Sequence, residues 1–316
     1  MDNYYLGVDV GSVSTNIVLI NENNEVVYKE YLRTQGKPID ILKDGIGRLA
    51  KEAGYNNIHG AGCTGSGRQL ASIVIGTDIV KNEITAHAIA SLNAKPDVRT
   101  IIEIGGQDSK IIILRDGITV DFAMNTVCAA GTGSFLDRQA IRLGIAIEEF
   151  GDSALKSKNN LRIAGRCAVF AESDMIHKQQ LGHNQDDIIR GLCQALVRNF
   201  LSNVGKGKDI RGPIMFQGGV AANRGIKEAF QEELGEEVLV PENFDVMGAI
   251  GAAILGKERS RDIGYSNFKG LDIYKRDYAV NGFECEGCSN LCEVLEIKED
   301  NKTLARYGDK CGKWTY

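Results

Sequence analysis

Two segments of the chain repeat one order of features: an apolar strand that ends near an acid, a glycine-containing turn and an apolar return strand. The first segment, Tyr5–Ile20, has Asp9 before its turn, and the second, Thr100–Leu114, has Glu103. Apolar runs on both sides of such a turn are typical of β-hairpins. Because the copies stand roughly a hundred residues apart, they predict a duplicated α/β fold in which each lobe opens with a hairpin that faces a shared cleft.

Segments with a helical period fill the sequence between these strands. Residues 38–52 carry apolar side chains at positions 39, 42, 46 and 49, which places them on one face of a helix. The same period predicts further helices at 134–143, 168–181, 186–203 and 223–234. These helices complete the α/β pattern of the two lobes.

The composition changes at residues 257–262, a charged stretch after which the apolar pattern weakens. With 316 residues, the chain is long enough for two lobes. We therefore expect four parts, which are a first lobe at 1–97, a second lobe at 98–256, a linker or arm at 257–282 and a cysteine-rich tail at 283–316.

Composition and charge exclude several classes of protein. With 43% hydrophobic and 25% charged residues the chain is expected to fold, and its net charge of -5 leaves no basic field for nucleic-acid binding. The first residues run into a strand without the charged and apolar regions of a secretory signal, so we expect a cytoplasmic protein. The longest apolar run, 246–256, is too short to span a bilayer, and we expect no membrane contact.

The glycine turns are candidate phosphate sites, because they expose backbone N–H groups and stand beside carboxylates that can hold a hydrated Mg2+. The first turn offers Asp9, Gly11, Ser12, Ser14 and Thr15. The second offers Glu103, Gly105, Gly106, Gln107, Asp108 and Lys110. A third glycine-rich element follows the strand-like segment 213–216, opens a helix and offers Gly218, Gly219 and Asn223 to a flat ring or an anion. Together the three elements predict a nucleotide site.

Two other kinds of nucleotide site find no support in the sequence. It contains no G-x4-G-K-[ST] motif, and no G-x-G-x-x-G follows the first strand, so P-loop and Rossmann sites are disfavoured. Any one glycine pair could equally serve only a tight turn. The order and matching context of the three elements favour the nucleotide site, with Asp9, Glu103 and Gln107 as the candidate catalytic residues.

In these elements the chain resembles the actin-like ATPase superfamily, which includes sugar and acetate kinases and the large heat-shock chaperones. Residues 9–20 resemble its first phosphate loop, 103–114 its second and 217–223 its adenosine loop. More narrowly, Asn125–Leu136 and Arg166–Ser173 resemble the activators of 2-hydroxyacyl-CoA dehydratases and the related benzoyl-CoA reductase ATPases. The resemblance implies ribonuclease H-like lobes around a nucleotide cleft.

The resemblance also implies cofactors and partners. It implies a homodimer that binds ATP and Mg2+ and shares one 4Fe-4S cluster between its subunits, with Cys128 and Cys167 as the ligands from each chain. ATP hydrolysis would drive a low-potential electron from this cluster to a partner iron-sulfur enzyme, either a 2-hydroxyacyl-CoA dehydratase or a double-cubane cluster protein. Ferredoxin or flavodoxin is the implied electron donor, and the chemistry is anaerobic.

The positions of the two cysteines agree with this ligand role on physical grounds. Cys128 and Cys167 each precede a helical stretch, where N-terminal N–H groups favour an anionic thiolate. A cubane cluster commonly takes four cysteines, so two from each chain complete the set across a twofold axis. The alternative is a pair of buried free cysteines. Cys63, in a glycine-rich loop, and Cys193, among apolar residues, are expected to be structural.

Two departures from the superfamily pattern concern the phosphate loops. Asn16 stands where many members carry Lys, so a cation near the phosphates is missing or is supplied by Lys110. Glu103 stands where actin-like relatives usually carry Asp, which puts the carboxylate on a longer arm toward Mg2+. We expect both departures to affect nucleotide affinity and the rate of hydrolysis.

The tail is the largest departure, because the compact activators end near the last helix of the ATPase. Its cysteines are Cys285, Cys288, Cys292 and Cys311, in the pattern C-x2-C-x3-C-x18-C. In a reducing compartment such a set indicates metal ligands rather than disulfides. The spacing fits either Zn2+ in a closed structural site or a second Fe-S cluster that serves as an electron entry or exit point.

Two other functions would use the same phosphate loops. A small-molecule kinase for sugars or acetate would need a carboxylate base beside an open substrate cleft, and its cysteines would be chemically silent. A chaperone or filament-forming ATPase would need a peptide-binding module or polymer contacts, and the tail is too short and cysteine-rich for the former. The cysteine motifs favour the electron-transferring activator.

Overall fold

A computed structural model describes residues 3–52, 54–55, 57–125 and 127–315. The chain forms two compact units. Unit 1 contains the N-terminal segment up to Glu83 together with the chain from Gly248 onward, and unit 2 contains Ile84–Met247. Unit 2 is therefore inserted into unit 1, whereas the sequence predicts consecutive lobes.

The N-terminal segment builds the main sheet of unit 1. Its strands are β1 (Tyr4–Val10), β2 (Ser14–Ile20), β3 (Val26–Arg33), β4 (Ile58–Thr64) and β5 (Ile79–Val80). They lie in the order β3-β2-β1-β4-β5. β2 pairs antiparallel with both β1 and β3, and β4 pairs parallel with both β1 and β5. Helices α1 (Pro38–Leu49) and α2 (Arg68–Ile75) pack their apolar faces onto this sheet. The predicted first hairpin and first helix are confirmed.

Unit 2 contains a second sheet of the same design. Its strands are β6 (Thr100–Ile104), β7 (Ser109–Arg115), β8 (Ile118–Asn125), β9 (Ile214–Gln217) and β10 (Val238–Leu239). The order is β10-β9-β6-β7-β8, with β6, β7 and β8 antiparallel and β9 and β10 parallel to β6. Counted from β8, this is the order and the direction pattern of the first sheet, so the predicted duplication of the α/β fold is confirmed.

Six helices belong to unit 2 in the described chain: α3 (Glu83–Ala94), α4 (Gly133–Leu143), α5 (Ile147–Leu155), α6 (Ala168–Gln180), α7 (Gln185–Asn203) and α8 (Arg224–Leu234). The predicted helices at 134–143, 168–181, 186–203 and 223–234 are confirmed to within a residue at each end. Edge-to-face packing of Phe230 against Phe200 and Phe216, with ring centroids 5.5 and 5.3 Å apart, joins α7, α8 and β9 in one core.

The chain returns to unit 1 through α9 (Met247–Ile263). The helix lies directly on β1 and β4, because Cβ atoms at Gly7 and Gly62 would fall on the backbone of Ala249 and Ala252. The linker predicted from residue 257 begins later, because α9 continues to Ile263. Lys257 is buried on this helix, and its Nζ donates to Glu22 O at 2.7 Å. Within the described residues, no helix is both long and apolar enough to cross a bilayer.

The cysteine-rich tail forms a three-stranded antiparallel sheet that belongs to unit 1. Its strands are β11 (Tyr278–Glu284), β12 (Glu293–Glu299) and β13 (Lys302–Tyr307), in sequence order. Ile297 of β12 is fully buried in the core of unit 1, together with Ile273 of the short 3-10 helix Leu271–Lys275. The tail is therefore packed onto the N-terminal core and is not an independent module.

Candidate functional site

Hairpin β1–β2 places Asp9 between two polar neighbours. In the register of the sheet, Asp9 pairs with Asn16 of β2 and with Thr64 of β4. Asn16 Oδ1 and Thr64 Oγ1 are buried, and neither has a hydrogen-bond partner among the described residues. Buried polar atoms in this state usually have a ligand or water to bind. The register places these oxygen atoms on residues beside Asp9, and oxygen ligands are the kind that Mg2+ prefers.

The turn between β1 and β2 is closed by hydrogen bonds. The Gly11 N–H donates to Ser14 O at 2.8 Å, and Thr34 Oγ1 donates to Gly11 O at 2.9 Å. Thr15 is buried with its Oγ1 3.1 Å from Thr34 Oγ1, so its hydroxyl braces the turn. Ser12 is exposed at the tip of the hairpin, where its N–H and hydroxyl can meet a phosphate.

Gly65 lies against the Asp9 carboxylate. It follows β4 and has a φ of 95°, in the region that favours glycine. A Cβ at this position would stand 2.5 Å from Asp9 Oδ1 and would also meet the carbonyl oxygen of Val10. A glycine at position 65 therefore leaves room for the carboxylate in its present place.

Hairpin β6–β7 repeats this arrangement with one difference. Glu103 pairs with Lys110 of β7 and with Gln217 of β9, the register positions that Asn16 and Thr64 hold beside Asp9. Lys110 Nζ lies 2.9 Å from Glu103 Oε2 and 2.8 Å from Asp108 Oδ2, and only 2% of the lysine is exposed. The Lys110 charge is thus engaged by two carboxylates of its own hairpin.

Gly218 is the counterpart of Gly65 in the second sheet. It follows β9 with a φ of 86°, and a Cβ there would lie 2.7 Å from Glu103 Oε1. At the tip of the hairpin, the Gly105 N–H donates to Asp108 O at 3.0 Å, and Gln107 is exposed. The predicted second phosphate loop and the predicted adenosine loop therefore meet at Glu103.

The adenosine element is held by buried amides. Gln217 Oε1 accepts from Ser91 Oγ at 3.0 Å, and its Nε2 lies 2.7 Å from His87 Nδ1, so both amide atoms serve the fold. A short 3-10 helix, Gly219–Ala222, follows. Asn223 then caps α8 by accepting from the Ile226 N–H at 3.1 Å, while its Nδ2 is buried with no partner in the described part of the chain.

The cysteines of the two activator-like motifs each stand directly before a helical segment, as the sequence predicts. Cys128 precedes the 3-10 turn Ala129–Gly131, shortly before α4, and Cys167 precedes α6. Both are partly exposed. The Asn125 side chain holds the first loop, because its Oδ1 accepts from the Cys128 N–H at 2.8 Å and its Nδ2 donates to Cys128 O at 2.7 Å. Thr126 of the same motif lies outside the described residues.

The helices that follow the two cysteines are joined by an ion-pair cluster. Glu172 of α6 lies 2.9 Å from Arg138 Nε and 2.6 Å from an Arg142 guanidinium nitrogen, both on α4. Glu172 is only 16% exposed, so these pairs are partly shielded from solvent. Sequence reasoning missed this link, since charges on separate helices carry no common spacing.

The tail cysteines lie at one end of the small sheet. The Cys285 N–H donates to Cys292 O at 2.8 Å, across the end of the β11–β12 pair. Cys288 and Cys311 are exposed, and Cys311 Sγ lies 3.7 Å from Asp309 Oδ2. The indole of Trp314, the N–H of Gly287 and the Lys313 charge lower the pKa of Cys285. Among the described residues, no three Cys, His, Asp or Glu side chains are gathered as a metal site.

Cys63 and Cys193 are buried thiols. Cys193 lies in the core of unit 2 as predicted, whereas Cys63 lies inside β4 and not in the predicted glycine-rich loop. Burial raises the pKa of each thiol to about 12. The prediction of a loop at Cys63 was wrong because the glycines around it serve a strand: Cβ atoms at Gly60 and Gly62 would meet the backbone of α9.

Comparison with known proteins gives a consistent result over most of the chain. Residues 6–256 match the profile of the BadF/BadG/BcrA/BcrD ATPase family. The 2-hydroxyisocaproyl-CoA dehydratase activator of Clostridioides difficile is 32% identical over 82% of this chain and 97% of its own length. The (R)-2-hydroxyglutaryl-CoA dehydratase activating ATPase of Acidaminococcus fermentans is 31% identical over 82% of this chain and 99% of its own.

Solved structures agree with the sequence comparison. The structure of the Clostridium difficile activator with bound ADPNP superposes with a TM-score of 0.73 at 30% identity, over 83% of this chain and 97% of that one. A ROK family glucokinase from Streptomyces griseus, at 14% identity and a TM-score of 0.52, shares the fold alone; it covers 81% of this chain and 99% of its own.

Proposed function

The chain belongs to the BadF/BadG/BcrA/BcrD ATPase family, and from this membership we propose that it is an ATP-driven electron donor to a partner iron-sulfur enzyme. Its relatives include activators of 2-hydroxyacyl-CoA dehydratases and a benzoyl-CoA reductase subunit. The partner is a dehydratase of that class or a double-cubane cluster protein, and ferredoxin or flavodoxin supplies the electron.

A hydrogen-bonded link between a phosphate hairpin and a cysteine loop carries this proposal. The Gly133 N–H donates to Gly105 O at 2.8 Å, and the Ser134 N–H donates to Gly106 O at 2.9 Å. These donors are the first residues of α4, which follows the Cys128 turn. A displacement of hairpin β6–β7 by the nucleotide therefore reaches Cys128 through short contacts.

The nucleotide-binding residues take their proposed roles from these positions. Asp9, beside Asn16 and Thr64, would hold the hydrated Mg2+, and Glu103 is the proposed catalytic carboxylate of hairpin β6–β7. Gln107 is exposed at its hairpin tip, where an amide can orient the attacking water. The groups proposed to contact the nucleotide are Gly11, Ser12, Ser14, Thr15, Gly105, Gly106, Asp108, Lys110, Gly218, Gly219 and Asn223.

The donor set of each chain fits half of a 4Fe-4S cluster. Cys128 and Cys167 are partly exposed, and they stand directly before a short 3-10 turn and before α6. Val127, Val169 and Phe170 beside them are 94%, 68% and 66% exposed, and such apolar surface marks an interface. We infer that a second copy of the chain covers this surface and supplies the other pair of thiolates. When bound, the cluster stores and passes on one electron.

Anaerobic reconstitution tests the cluster assignment. The shared cluster is expected to contribute about two irons per chain, which is one cluster per dimer, beside any iron that the tail cysteines hold. Cys128→Ser and Cys167→Ser are expected to lose this iron and the dimer, while Cys193→Ala, a buried thiol, is the matched control. Iron content unchanged in both serine variants contradicts the assignment.

ATP-driven electron delivery needs a separate measurement. With 2-hydroxyisocaproyl-CoA dehydratase as the acceptor, Asp9→Asn and Gln107→Ala are expected to abolish ATP-dependent reduction while the cluster still assembles. Loss of the cluster in these variants shows that the phosphate loops are wrongly assigned. Reduction of the acceptor at the same rate without ATP contradicts the proposed coupling.

We also propose that the four tail cysteines hold a metal, either Zn2+ or a second Fe-S cluster. Cys285 and Cys292 are neighbours across the β11–β12 hairpin, whose loop carries Cys288. The segment after β13 folds back to this end of the sheet, since the Trp314 ring packs on Phe283 with centroids 5.0 Å apart. That segment carries Cys311, so all four thiols lie at one end of the sheet.

Metal analysis of a Cys128→Ser/Cys167→Ser double variant isolates the tail. About one zinc per chain indicates a structural site, and about four irons per chain indicate a second cluster. Adding Cys288→Ser and Cys311→Ser is expected to remove that metal. A tail that binds neither metal after anaerobic reconstitution contradicts the proposal.

A further inference from the structure

Asn199 of α7 is a buried amide that holds the loop before Cys167. The residue is only 1% exposed. Its Nδ2 donates to Gly165 O at 2.7 Å and to Arg166 O at 3.3 Å. These carbonyls belong to the two residues that immediately precede Cys167, and α6 begins directly after it. The amide therefore fixes the backbone from which this cysteine projects.

The Oδ1 of the same amide accepts from Asn203 Nδ2 of α7 at 3.1 Å and lies beside the turn that follows Cys128. A Cβ at Gly131, in that turn, would lie 3.0 Å from Asn199 Oδ1 and 3.5 Å from Asn125 Nδ2. Asn125 in turn bonds both backbone groups of Cys128. The turn after Cys128 thus packs against the amide that holds the loop of Cys167.

The contact path continues from the Cys128 turn into the phosphate hairpin. Ser134 bonds Gly106 O twice, through its N–H at 2.9 Å and through its Oγ at 2.5 Å. The Gly133 N–H bonds the neighbouring Gly105 O. Hairpin β6–β7, the Cys128 turn, Asn199 and the Cys167 loop are therefore consecutive members of one contact chain within unit 2.

We propose that Asn199 is a positioning residue that locks the Cys128 and Cys167 loops together, so that both shift as one when the hairpin responds to nucleotide. The inference rests on the proposed function. If one cysteine moved alone, a shared cluster would be strained. If both cysteines move together, the surroundings of the cluster change while each sulfur keeps its bond to iron. Glu172, which joins α4 to α6, reinforces the same pairing.

The test compares three variants with one control. Asn199→Asp keeps the shape of the side chain but replaces the two N–H donors with a carboxylate that faces carbonyl oxygens. Asn199→Ala removes the amide. Ser134→Ala removes one bond to Gly106 O at an exposed position. Gln194→Ala is the control, because it removes a partly exposed amide of the same helix, whose Nε2 donates to Glu232 at 3.0 Å.

The first readout needs no cluster. In the metal-free protein, the alkylation rates of Cys128 and Cys167 are measured with ADP and with a non-hydrolysable ATP analogue. In the wild type both rates are expected to change together between the nucleotides. In Asn199→Asp the Cys167 rate is expected to rise several-fold and to stop following the nucleotide, while Cys128 still responds. In Ser134→Ala, which keeps the two backbone bonds to the hairpin, both cysteines are expected to follow the nucleotide less strongly and to the same extent.

The second readout uses the reconstituted dimer. A chelator is expected to remove iron from Asn199→Asp and Asn199→Ala about tenfold faster than from the wild type, while Gln194→Ala is unchanged. Asn199→Asp that matches Gln194→Ala in both readouts overturns the inference. A wild-type protein that takes up no iron overturns the proposed cluster instead, and the alkylation result then still decides whether Asn199 couples the loops.

Discussion

Glu103 and Lys110 face each other across β6 and β7 with Oε2 and Nζ 2.9 Å apart, and their side chains are only 7% and 2% exposed. The equivalent pair in unit 1 is Asp9 and Asn16, which carries no cation. The duplicated hairpins therefore differ in charge at matched positions: a lysine stands beside the carboxylate of Glu103, and a neutral amide stands beside that of Asp9.

Removal of the Lys110 charge is expected to be costly. Lys110→Met leaves Glu103 buried beside an apolar side chain, and breaking a buried pair in this way destabilises by about 3–5 kcal/mol. Lys208→Met, which breaks a more exposed pair with Asp121, is the control and is expected to cost less than about 1 kcal/mol. Urea unfolding followed by circular dichroism measures both. Equal losses in the two variants would show that the Glu103–Lys110 pair is not specially important.

Gly65 offers a test of the Asp9 site. Gly65→Ala places a methyl group against Asp9 Oδ1, so we expect the affinity for Mg2+ and nucleotide to fall at least about tenfold. Gly36→Ala is the matched control, because Gly36 also has a positive φ, 72°, but has open space around it. It is expected to lose only about 1 kcal/mol of stability and no affinity. Calorimetric titration distinguishes the two outcomes.

Asp187 is expected to make unit 2 sensitive to acid. Its Oδ1 accepts from Ser157 Oγ at 2.8 Å and from the Lys158 N–H at 3.0 Å, and its Oδ2 accepts from Asn159 Nδ2 at 2.8 Å. These bonds, with those of the Asn159 and Ser157 side chains first, hold the pKa of Asp187 far below its usual value of 3.8.

Because the folded-state pKa is lowered, the stability from Asp187 is present above about pH 4 and is lost as the pH falls below it. Asp187→Ala is expected to destabilise by about 2 kcal/mol at neutral pH and to reduce the acid dependence of the unfolding midpoint. An Asp187→Ala variant with the same acid dependence as the wild type would contradict this account.

Cys193 should impose the opposite dependence at alkaline pH. Burial raises its pKa from 9.0 to about 12, so the unfolded chain loses the proton first. The contribution of the neutral thiol is complete below about pH 9 and decreases as the pH rises, by about 1.4 kcal/mol per pH unit. The free energies of unfolding of the wild type and of Cys193→Ala are measured between about pH 9 and pH 12 and are expected to converge as the pH rises. A constant difference between the two proteins would contradict the raised pKa of Cys193.

Local patterns predicted much of the fold. The hairpins, the helices and the duplication depend on apolar periodicity and on glycine turns, which neighbouring residues encode. The return of the chain through α9 could not be predicted in this way, because it depends on glycines in β1 and β4 that admit the helix backbone. The same glycines made the surroundings of Cys63 resemble a loop.

The sequence proposes candidate site residues where side chains act through their own loop. Asp9, Glu103 and the cysteines that precede the 3-10 turn and α6 stand in motifs with a fixed order. Asn199 and Glu172 had no such signal. Each contacts a segment that is distant in sequence, so no local motif marks either residue. Lys110 pairs with Glu103 because of the register of hairpin β6–β7. That register is set by the type and length of the turn, which the sequence does not determine alone.

The insertion of unit 2 into unit 1 sets an order of events during synthesis on the ribosome. Unit 2 has its whole chain once Met247 has emerged, so it can close its core during translation. The first sheet of unit 1 is made earlier but must wait for α9, whose backbone covers Gly7 and Gly62. The nascent N-terminal segment thus keeps an apolar face uncovered throughout the synthesis of the unit that interrupts it.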